Sequence, residues 1–235
     1  MIHSYLGESI RLEIKYKNRT SIAIKMDGYG TVEVHAPKGT SQENVHQVVE
    51  EHWEAIQEKL REMTNRQRGR EEKVYEYGEN FLYLGHAYPI EIFIDMNIMQ
   101  ERVEFKDEKL HIYVKQHDEE NIKQALKRFY SQQCKALVEK SISVHQSNFK
   151  TKPRSIQITD SQKTWGTCDS NRKLTFNWRL AMAPREVIDY VVVHEMSHMV
   201  HLNHDRSFWR LVGKIMPDYK EKENWLSLSS WKMTV

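Results

Sequence analysis

The segment His194-Glu195-Met196-Ser197-His198 constrains the fold more than any other, because it places two imidazoles and a carboxylate in an apolar stretch. Three valines, Val191-Val192-Val193, precede it, and on propensity alone they favour a strand. Pro184 suits the first position of a helix, and Glu186 then falls in the first turn, where a carboxylate is favourable. We therefore predict a buried helix that runs from Pro184 to about Leu202.

A buried helix with these side chains needs a charged partner, and a divalent metal ion fits the spacing. His194 and His198 lie one turn apart on the same face, so both can reach one ion at Zn–N distances of about 2.0–2.1 Å. Glu195 projects about 100° round the helix from His194 and can reach a water on the metal. The sequence predicts one zinc ion with Glu195 as general base. The alternative, a helix with solvated polar side chains, is disfavoured by the apolar flanks.

A catalytic zinc site needs a third protein ligand. His201 shares the helical face, but on a straight helix it lies about 10.5 Å along the axis from His194, too far to help enclose the ion. His204 is better placed if Asn203 adopts the left-handed conformation and turns the chain. We prefer His204 as the third ligand. The remaining candidates are His201, Glu221 and Glu223.

Secondary-structure patterns predict an α+β chain. Residues 10–16, 22–24 and 32–34 alternate with period two, as strands do, and Asp27-Gly28 indicates a turn. Ser41 can cap a helix to about Met63, and the charged segment 64–73 is typical of an exposed linker. Further strands are expected at 80–94, 101–115, 156–158 and 174–178, with helices at 119–149 and, capped by Asp205, up to Pro217. No internal repeat is evident.

These patterns divide the chain into a β-rich region with one long helix, residues 1–118, and a catalytic region, 119–235, within one compact unit. The 235 residues suffice for a proper core, and a formal charge of +2 does not call for a nucleic-acid partner. Only Cys134 and Cys168 are present, so no disulfide framework is expected. The charged N-terminus does not resemble a signal peptide, no apolar stretch could span a membrane, and the oligomeric state is open. We expect a cytoplasmic protein.

Several segments resemble the YgjP-like family of predicted zinc metallopeptidases, which is related to the SprT-like proteases. Trp165-Gly166-Thr167-Cys168 looks like that family's W-G-[ST]-C segment, and residues 174–180 resemble its L-N-W-R-L strand. Residues 183–195 and 203–209 are similar to its metal-binding segments, and residues 19–38 also resemble it. Asp205 departs from the family's usual Ser, but still caps a helix.

The resemblance implies a zincin-like metallopeptidase core, with the active-site helix on a small, mainly antiparallel sheet and a β-rich N-terminal extension. It implies that His194, His198 and His204 are zinc ligands, that Glu195 is catalytic and that the substrate is a peptide or protein. The spacing also fits metzincins, but these have Gly at the position of His201.

Two rival functions stay open at this stage. One is a nucleic-acid-associated protein with a structural metal, and the other is a non-peptidase amidohydrolase. The role of the segment around Gly166 is also open: it is either an edge strand that pairs with substrate above the metal or a bulge beside a core Trp165. Cys168 is not expected to act as a nucleophile, because a metal hydrolase needs none.

Overall fold

The computed structural model describes residues 2–26, 31–68, 73–161 and 164–235. For residues 62–68 it describes the backbone only. The turn predicted at Asp27-Gly28 lies outside these ranges. The chain forms two compact units, Met1–Arg70 and Glu71–Val235. The sequence placed the division at 118/119 instead. The strands of 80–114 belong to the second unit because their apolar residues share one core with the helices that follow.

The first unit is a four-stranded sheet followed by two helices. Its strands are β1 (Ile2–Tyr5), β2 (Glu8–Lys17), β3 (Ala23–Met26) and β4 (Thr31–Pro37), in the order β1-β2-β4-β3. Strands β2 and β4 are parallel, and the outer pairs are antiparallel. The core consists of alternate strand residues and one face of the helices. Its strand members include Leu12, Val32 and Val34, and its helix members include Val45, Val49, Trp53 and Ile56.

The single helix predicted from Ser41 to Met63 is in fact two, α1 (Gln42–Glu51) and α2 (Trp53–Arg68). The helix pauses at His52, whose backbone leaves the helical region at φ −107° and ψ 14°. The Nδ1 atom of His52 lies 2.9 Å from the Val48 carbonyl, so the ring donates a hydrogen bond to a backbone carbonyl in the last turn of α1. Since α2 reaches Arg68, the first half of the predicted linker is helical. Residues 69–72 lie outside the described ranges.

The second unit begins with a sheet of four strands, and a long helix packs on it. The strands are β5 (Asn80–Tyr83), β6 (His86–Ile94), β7 (Arg102–Lys106) and β8 (Lys109–Val114), in the order β5-β6-β8-β7. The helix α3 (Glu119–His145) begins at Asp118, whose side chain accepts from the Asn121 N–H. Ile90, Ile112 and Leu126 are fully buried between them.

The two units repeat one sheet topology, which contradicts the expectation of no internal repeat. In each, two antiparallel pairs are joined by a central parallel pair, β2 with β4 and β6 with β8. Strands β1, β2 and β4 of the first unit match β5, β6 and β8 of the second at a constant offset of 78 residues. Matched pairs include Tyr5 with Tyr83, Leu12 with Ile90 and Val34 with Ile112.

The loops and caps around the two sheets repeat as well. Leu6-Gly7 and Leu84-Gly85 both join the first two strands with positive φ angles, 49° and 83° in the first unit and 49° and 86° in the second. Each sheet is followed by a helix with a side-chain cap, from Ser41 in α1 and Asp118 in α3. The shared features are mostly buried positions and backbone angles rather than identical residues, so the sequence pattern did not reveal them.

A three-stranded sheet and three further helices complete the second unit. The strands β9 (Ser155–Thr159), β10 (Gly166–Cys168) and β11 (Lys173–Asn177) run in the order β10-β11-β9. The sheet is mixed rather than mainly antiparallel, because β9 pairs with β11 in parallel. Trp178 begins a buried 3-10 helix, Trp178–Met182, instead of ending the strand. The helices are α4 (Arg185–His198), α5 (Arg206–Ile215) and α6 (Tyr219–Ser229).

The β5–β6 turn supports the chain just ahead of α4. The N–H groups of Leu84 and Gly85 donate to the carbonyls of Ala181 and Met182, at 3.0 and 2.9 Å. A Cβ on Gly85 would lie 2.8 Å from Cγ of Pro184. The turn therefore requires a residue without a side chain for both its backbone angle and its contact.

Replacing Gly85 by alanine is expected to lower the free energy of unfolding by about 2–4 kcal/mol, because left-handed strain and overpacking add. Gly78→Ala in the same unit is the matched control, since Gly78 also has a positive φ of 85° but nothing within 4 Å of its added Cβ. The free energy of unfolding of this control should fall only by the backbone strain, about 1–2 kcal/mol. Urea unfolding of both variants measures the difference, and equal losses would contradict the role of the Pro184 contact.

No helix among the described residues is long and apolar enough to cross a lipid bilayer.

Candidate metal centre

The helix α4 presents His194 and His198 one turn apart within a buried environment. Val187, Val191, Val192 and Val193 are buried, so the predicted helix forms despite its β-branched run. Tertiary burial outweighs propensity here. The helix begins at Arg185, with Pro184 as its cap residue rather than its first residue as predicted, and it ends at His198 instead of near Leu202.

The early end of α4 changes how His204 reaches the other histidines. The N–H groups of Met199 and Val200 donate to the carbonyls of Met196 and Ser197, three residues back, which tightens the last turn. Asn203 was expected in the left-handed conformation, but it has no positive φ. The chain turns through residues 199–204 instead. Asp205 then begins α5 by accepting from the N–H groups of Ser207 and Phe208, as predicted.

Three imidazoles meet at the end of this turn. The Nε2 atom of His204 lies 2.9 Å from Nε2 of His194 and 3.1 Å from Nε2 of His198. Among the described residues, only these three form a group of potential metal-binding side chains whose ligand atoms all lie within 4.8 Å of one another. The arrangement directs three ring nitrogens at one point, which is how a divalent metal ion is held.

The protonation of these rings suits a metal. The Nδ1 atom of His198 lies 3.1 Å from the carbonyl oxygen of His201. Because a carbonyl only accepts, Nδ1 carries the proton and donates, which leaves the Nε2 lone pair free for an ion. Burial, followed by the nearby imidazoles of His198 and His204, lowers the pKa of His194 to about 4. Burial also lowers the pKa of His198. Both rings are therefore neutral near pH 7, as metal ligands must be.

Two aromatic side chains of α5 hold the imidazoles in place. The ring of Phe208 is fully buried and lies 4.9, 4.5 and 4.7 Å from the rings of His194, His198 and His204. The ring of Trp209 stacks on His204 at 5.7 Å. The sequence patterns did not assign Phe208 to the site. Its position close after His204, at the start of the helix capped by Asp205, was the available signal.

Glu195 follows His194 in α4, and its carboxyl group is buried. Its side chain is 5% exposed, and burial raises its pKa to about 8. Within the described part of the chain, no hydrogen bond or ion pair holds the carboxyl group. The strand β10 covers it: a Cβ on Gly166 would lie 2.6 Å from Cγ and 2.8 Å from Oε1 of Glu195. Gly166 thus leaves the space that the carboxyl group occupies.

The structure also places Cys168 in the strand that covers Glu195. Burial, and then the negative charges of Glu195 and Asp169, raise the pKa of its thiol to about 11. The thiol is therefore protonated at neutral pH and is a poor nucleophile. Trp165 is partly buried against the core rather than exposed.

The other candidates for the third ligand lie apart from the three imidazoles. His201 contributes its backbone carbonyl to the orientation of His198, and its ring is not part of the cluster. Glu221 and Glu223 lie on α6 and are also outside it. Of the predicted ligand candidates, the structure brings together His194, His198 and His204.

Comparison with known proteins gives one strong match. The sequence model of a family described as "YgjP-like, metallopeptidase domain" matches residues 19–228. No curated protein matches the chain. Among solved structures, the metallopeptidase zymogen abylysin of Pyrococcus abyssi is 20% identical, with a TM-score of 0.36, over 43% of this chain and 99% of that one. A likeness of that size supports no argument about the present site.

Proposed function

We propose, starting from the fact that this chain belongs to the YgjP-like metallopeptidase family, that it hydrolyses peptide bonds with one zinc ion held by His194, His198 and His204. Glu195 is the catalytic carboxylate in this proposal. The observation that supports it best is the convergence of three Nε2 atoms, two of them on a helix that also carries a buried carboxyl group. Three nitrogen ligands and one open position are typical of catalytic zinc.

The donor set fits zinc on chemical grounds. Imidazole nitrogens suit zinc, whereas magnesium and calcium prefer oxygen ligands. No cysteine belongs to the cluster among the described residues, which separates it from the thiolate-rich structural zinc sites. The proposed fold is a zincin-like core built from α4, α5 and the sheet that contains β10.

A zinc ion bound there would supply Lewis acidity, polarising the scissile carbonyl and lowering the pKa of a water molecule. Glu195 accepts the proton of the attacking water and later donates it to the leaving amine. Burial raises the pKa of the carboxyl group to about 8 and favours the protonated form that returns the proton, whereas the positive charge of a bound zinc ion would favour the ionised form that accepts it. Phe208 keeps the three imidazoles in position and excludes water from the buried side of the cluster.

The strand β10 offers a place for the substrate backbone. It lies at the edge of its sheet and, within the described residues, pairs with β11 alone. Its first residue, Gly166, touches the Glu195 side chain. An extended peptide that pairs with this edge would pass beside the proposed catalytic carboxylate, and its main-chain hydrogen bonds would supply affinity without sequence specificity.

Metal removal tests the proposal directly. The purified protein should cleave members of a fluorogenic peptide library, lose that activity in 1,10-phenanthroline, and regain it when one equivalent of zinc is added after the chelator is removed. Metal analysis of the restored protein should give one zinc per chain. Peptide cleavage that persists after the zinc content falls to zero would overturn the proposal.

Gly166→Ala is expected to lower kcat/KM by roughly 100-fold while zinc content stays unchanged, because the added Cβ displaces the Glu195 side chain, and displacements of about 1 Å can have effects of that size. Gly213→Ala in α5 is the control. Its Cβ would meet nothing closer than a ring atom of Tyr219 at 3.5 Å, so activity should persist. A fully active Gly166→Ala enzyme would show that Gly166 does not set the position of Glu195.

A further inference from the structure

An open pocket lies between the C-terminal half of α3 and the first two turns of α4. Its volume is about 350 Å³, including the solvent at its mouth. Arg185, Ile188 and Asp189 line it from α4, and their spacing of three and four places them on one helical face. Nine residues separate Arg185 from His194, which turns that face about 180° away from the three imidazoles. The pocket is therefore separate from the proposed metal centre.

A buried hydroxyl group in the wall of this pocket lacks a partner. Ser141 of α3 lines the pocket and is only 3% exposed. Its Oγ has no hydrogen-bond partner in the part of the chain that the structure describes. Most buried serine hydroxyls are satisfied, often by a carbonyl one turn back in the helix, so an unsatisfied one requires an explanation. A ligand with a hydrogen-bond acceptor supplies one.

The charges around the pocket favour an anion. Lys140 and Arg185 both line it, and neither forms an ion pair with any described residue. The carboxylate of Asp189 also lines the pocket and offsets one of the two cations. The N-terminus of α4 lies beside the pocket, but Glu186 in the first turn offsets the positive end of the helix. The lining residues therefore keep an excess of one positive charge.

Apolar side chains from both helices also line the pocket. Leu137 and Val144 contribute from α3, and the buried Ile188 contributes from α4. Val144 is 64% exposed, a large value for a valine, and a ligand seated here would cover it. The pocket therefore combines cationic and aliphatic side chains, which together match one class of small molecule.

We infer that this pocket between α3 and α4 binds an aliphatic carboxylate, with its charge on Arg185, Lys140 and the Ser141 hydroxyl and its hydrocarbon on Leu137, Val144 and Ile188. Such a group is either a free branched-chain acid or the C-terminus of a peptide that ends in an aliphatic residue. The inference concerns a site remote from the metal and does not depend on the proposed peptidase activity. The helix α4 lines this pocket with one face and carries the proposed ligands His194 and His198 on another, so a bound molecule would contact the helix that holds those ligands.

Calorimetric titration of the zinc-loaded protein tests the inference with three probes. Sodium 4-methylpentanoate should bind saturably, and its neutral analogue 4-methylpentanamide should bind at least tenfold more weakly. N-acetyl-leucine mimics a peptide C-terminus. Binding of both carboxylates identifies the free acid as sufficient, and binding of N-acetyl-leucine alone identifies the peptide terminus. Either result supports the site, whereas no binding of either carboxylate overturns it.

Variants locate the binding. Ser141→Ala and Arg185→Gln should each weaken carboxylate binding at least tenfold. Ser141→Ala should fold normally, because the Oγ it removes has no partner among the described residues. Ser143→Ala, an exposed serine of the same helix, and Lys150→Gln, an exposed cation elsewhere in the second unit, are the matched controls and should bind like the wild type. Undiminished binding to both Ser141→Ala and Arg185→Gln would place the carboxylate elsewhere, such as on the zinc, and would overturn the inference.

Discussion

His204→Ala is expected to abolish stoichiometric zinc binding, with a loss of affinity of more than about 100-fold. Changes to groups that merely support a ligand already reduce metal affinity by about 10–100-fold, and removing a ligand should do more. In this variant only His194 and His198 would remain of the three imidazoles that meet at Nε2–Nε2 distances of 2.9 and 3.1 Å. Competition titration with a fluorescent zinc chelator measures the loss.

The matched control is His201→Ala. The ring of His201 lies outside the cluster, and the contribution of this residue to the site is the backbone carbonyl that accepts from His198, which alanine retains. Zinc affinity should therefore equal that of the wild type. The reverse result, zinc lost in His201→Ala and kept in His204→Ala, would show that the third ligand has been assigned to the wrong histidine.

Glu195→Gln should abolish peptide hydrolysis while zinc remains bound. The amide keeps the shape of the side chain but cannot accept a proton, and general acid–base groups contribute about 10²–10⁴-fold to the rate. Folding should not suffer, because burial already disfavours the charged form of Glu195 and the amide is neutral. Single-turnover kinetics on a peptide that the wild type cleaves measures the effect.

Zinc content is the control within the same variant. One zinc per chain and an unchanged melting temperature would assign the lost activity to the carboxyl group itself. A Glu195→Gln protein with full zinc and full activity would remove Glu195 from the mechanism, and the search for a general base would then have to turn to another side chain.

Much of the site could be predicted because it depends on local spacing. The four-residue interval between His194 and His198, the proline ahead of the helix and the Asp205 cap are all short-range features, and the structure contains each of them. The placement of His204 was also anticipated, but by a different backbone route. The turn forms through a tightened last helical turn rather than a left-handed Asn203, a choice between backbone states that a sequence pattern does not resolve.

The parts that escaped prediction depend on contacts distant in sequence. The side chain of Glu195 meets Gly166, which lies far away along the chain, so the need for glycine there becomes visible only when β10 lies against α4. The division into units was misplaced for a similar reason. Ile90 and Leu110 share a core with residues of α3 and α4, and alternation within a strand does not show which helix will cover it.

The repeated sheet lets the same turn be compared in two surroundings. Matched strand positions keep a constant offset, so the two sheets are one supersecondary unit built twice. The two copies of the turn between the first two strands differ in their contacts. In the second copy the Leu84-Gly85 turn is fixed by its contact with Pro184, ahead of the metal-binding helix. In the first copy, Leu6 is 77% exposed and a Cβ on Gly7 would meet nothing within 4 Å, so no contact with the described residues restricts substitution there and only the positive φ of Gly7 does.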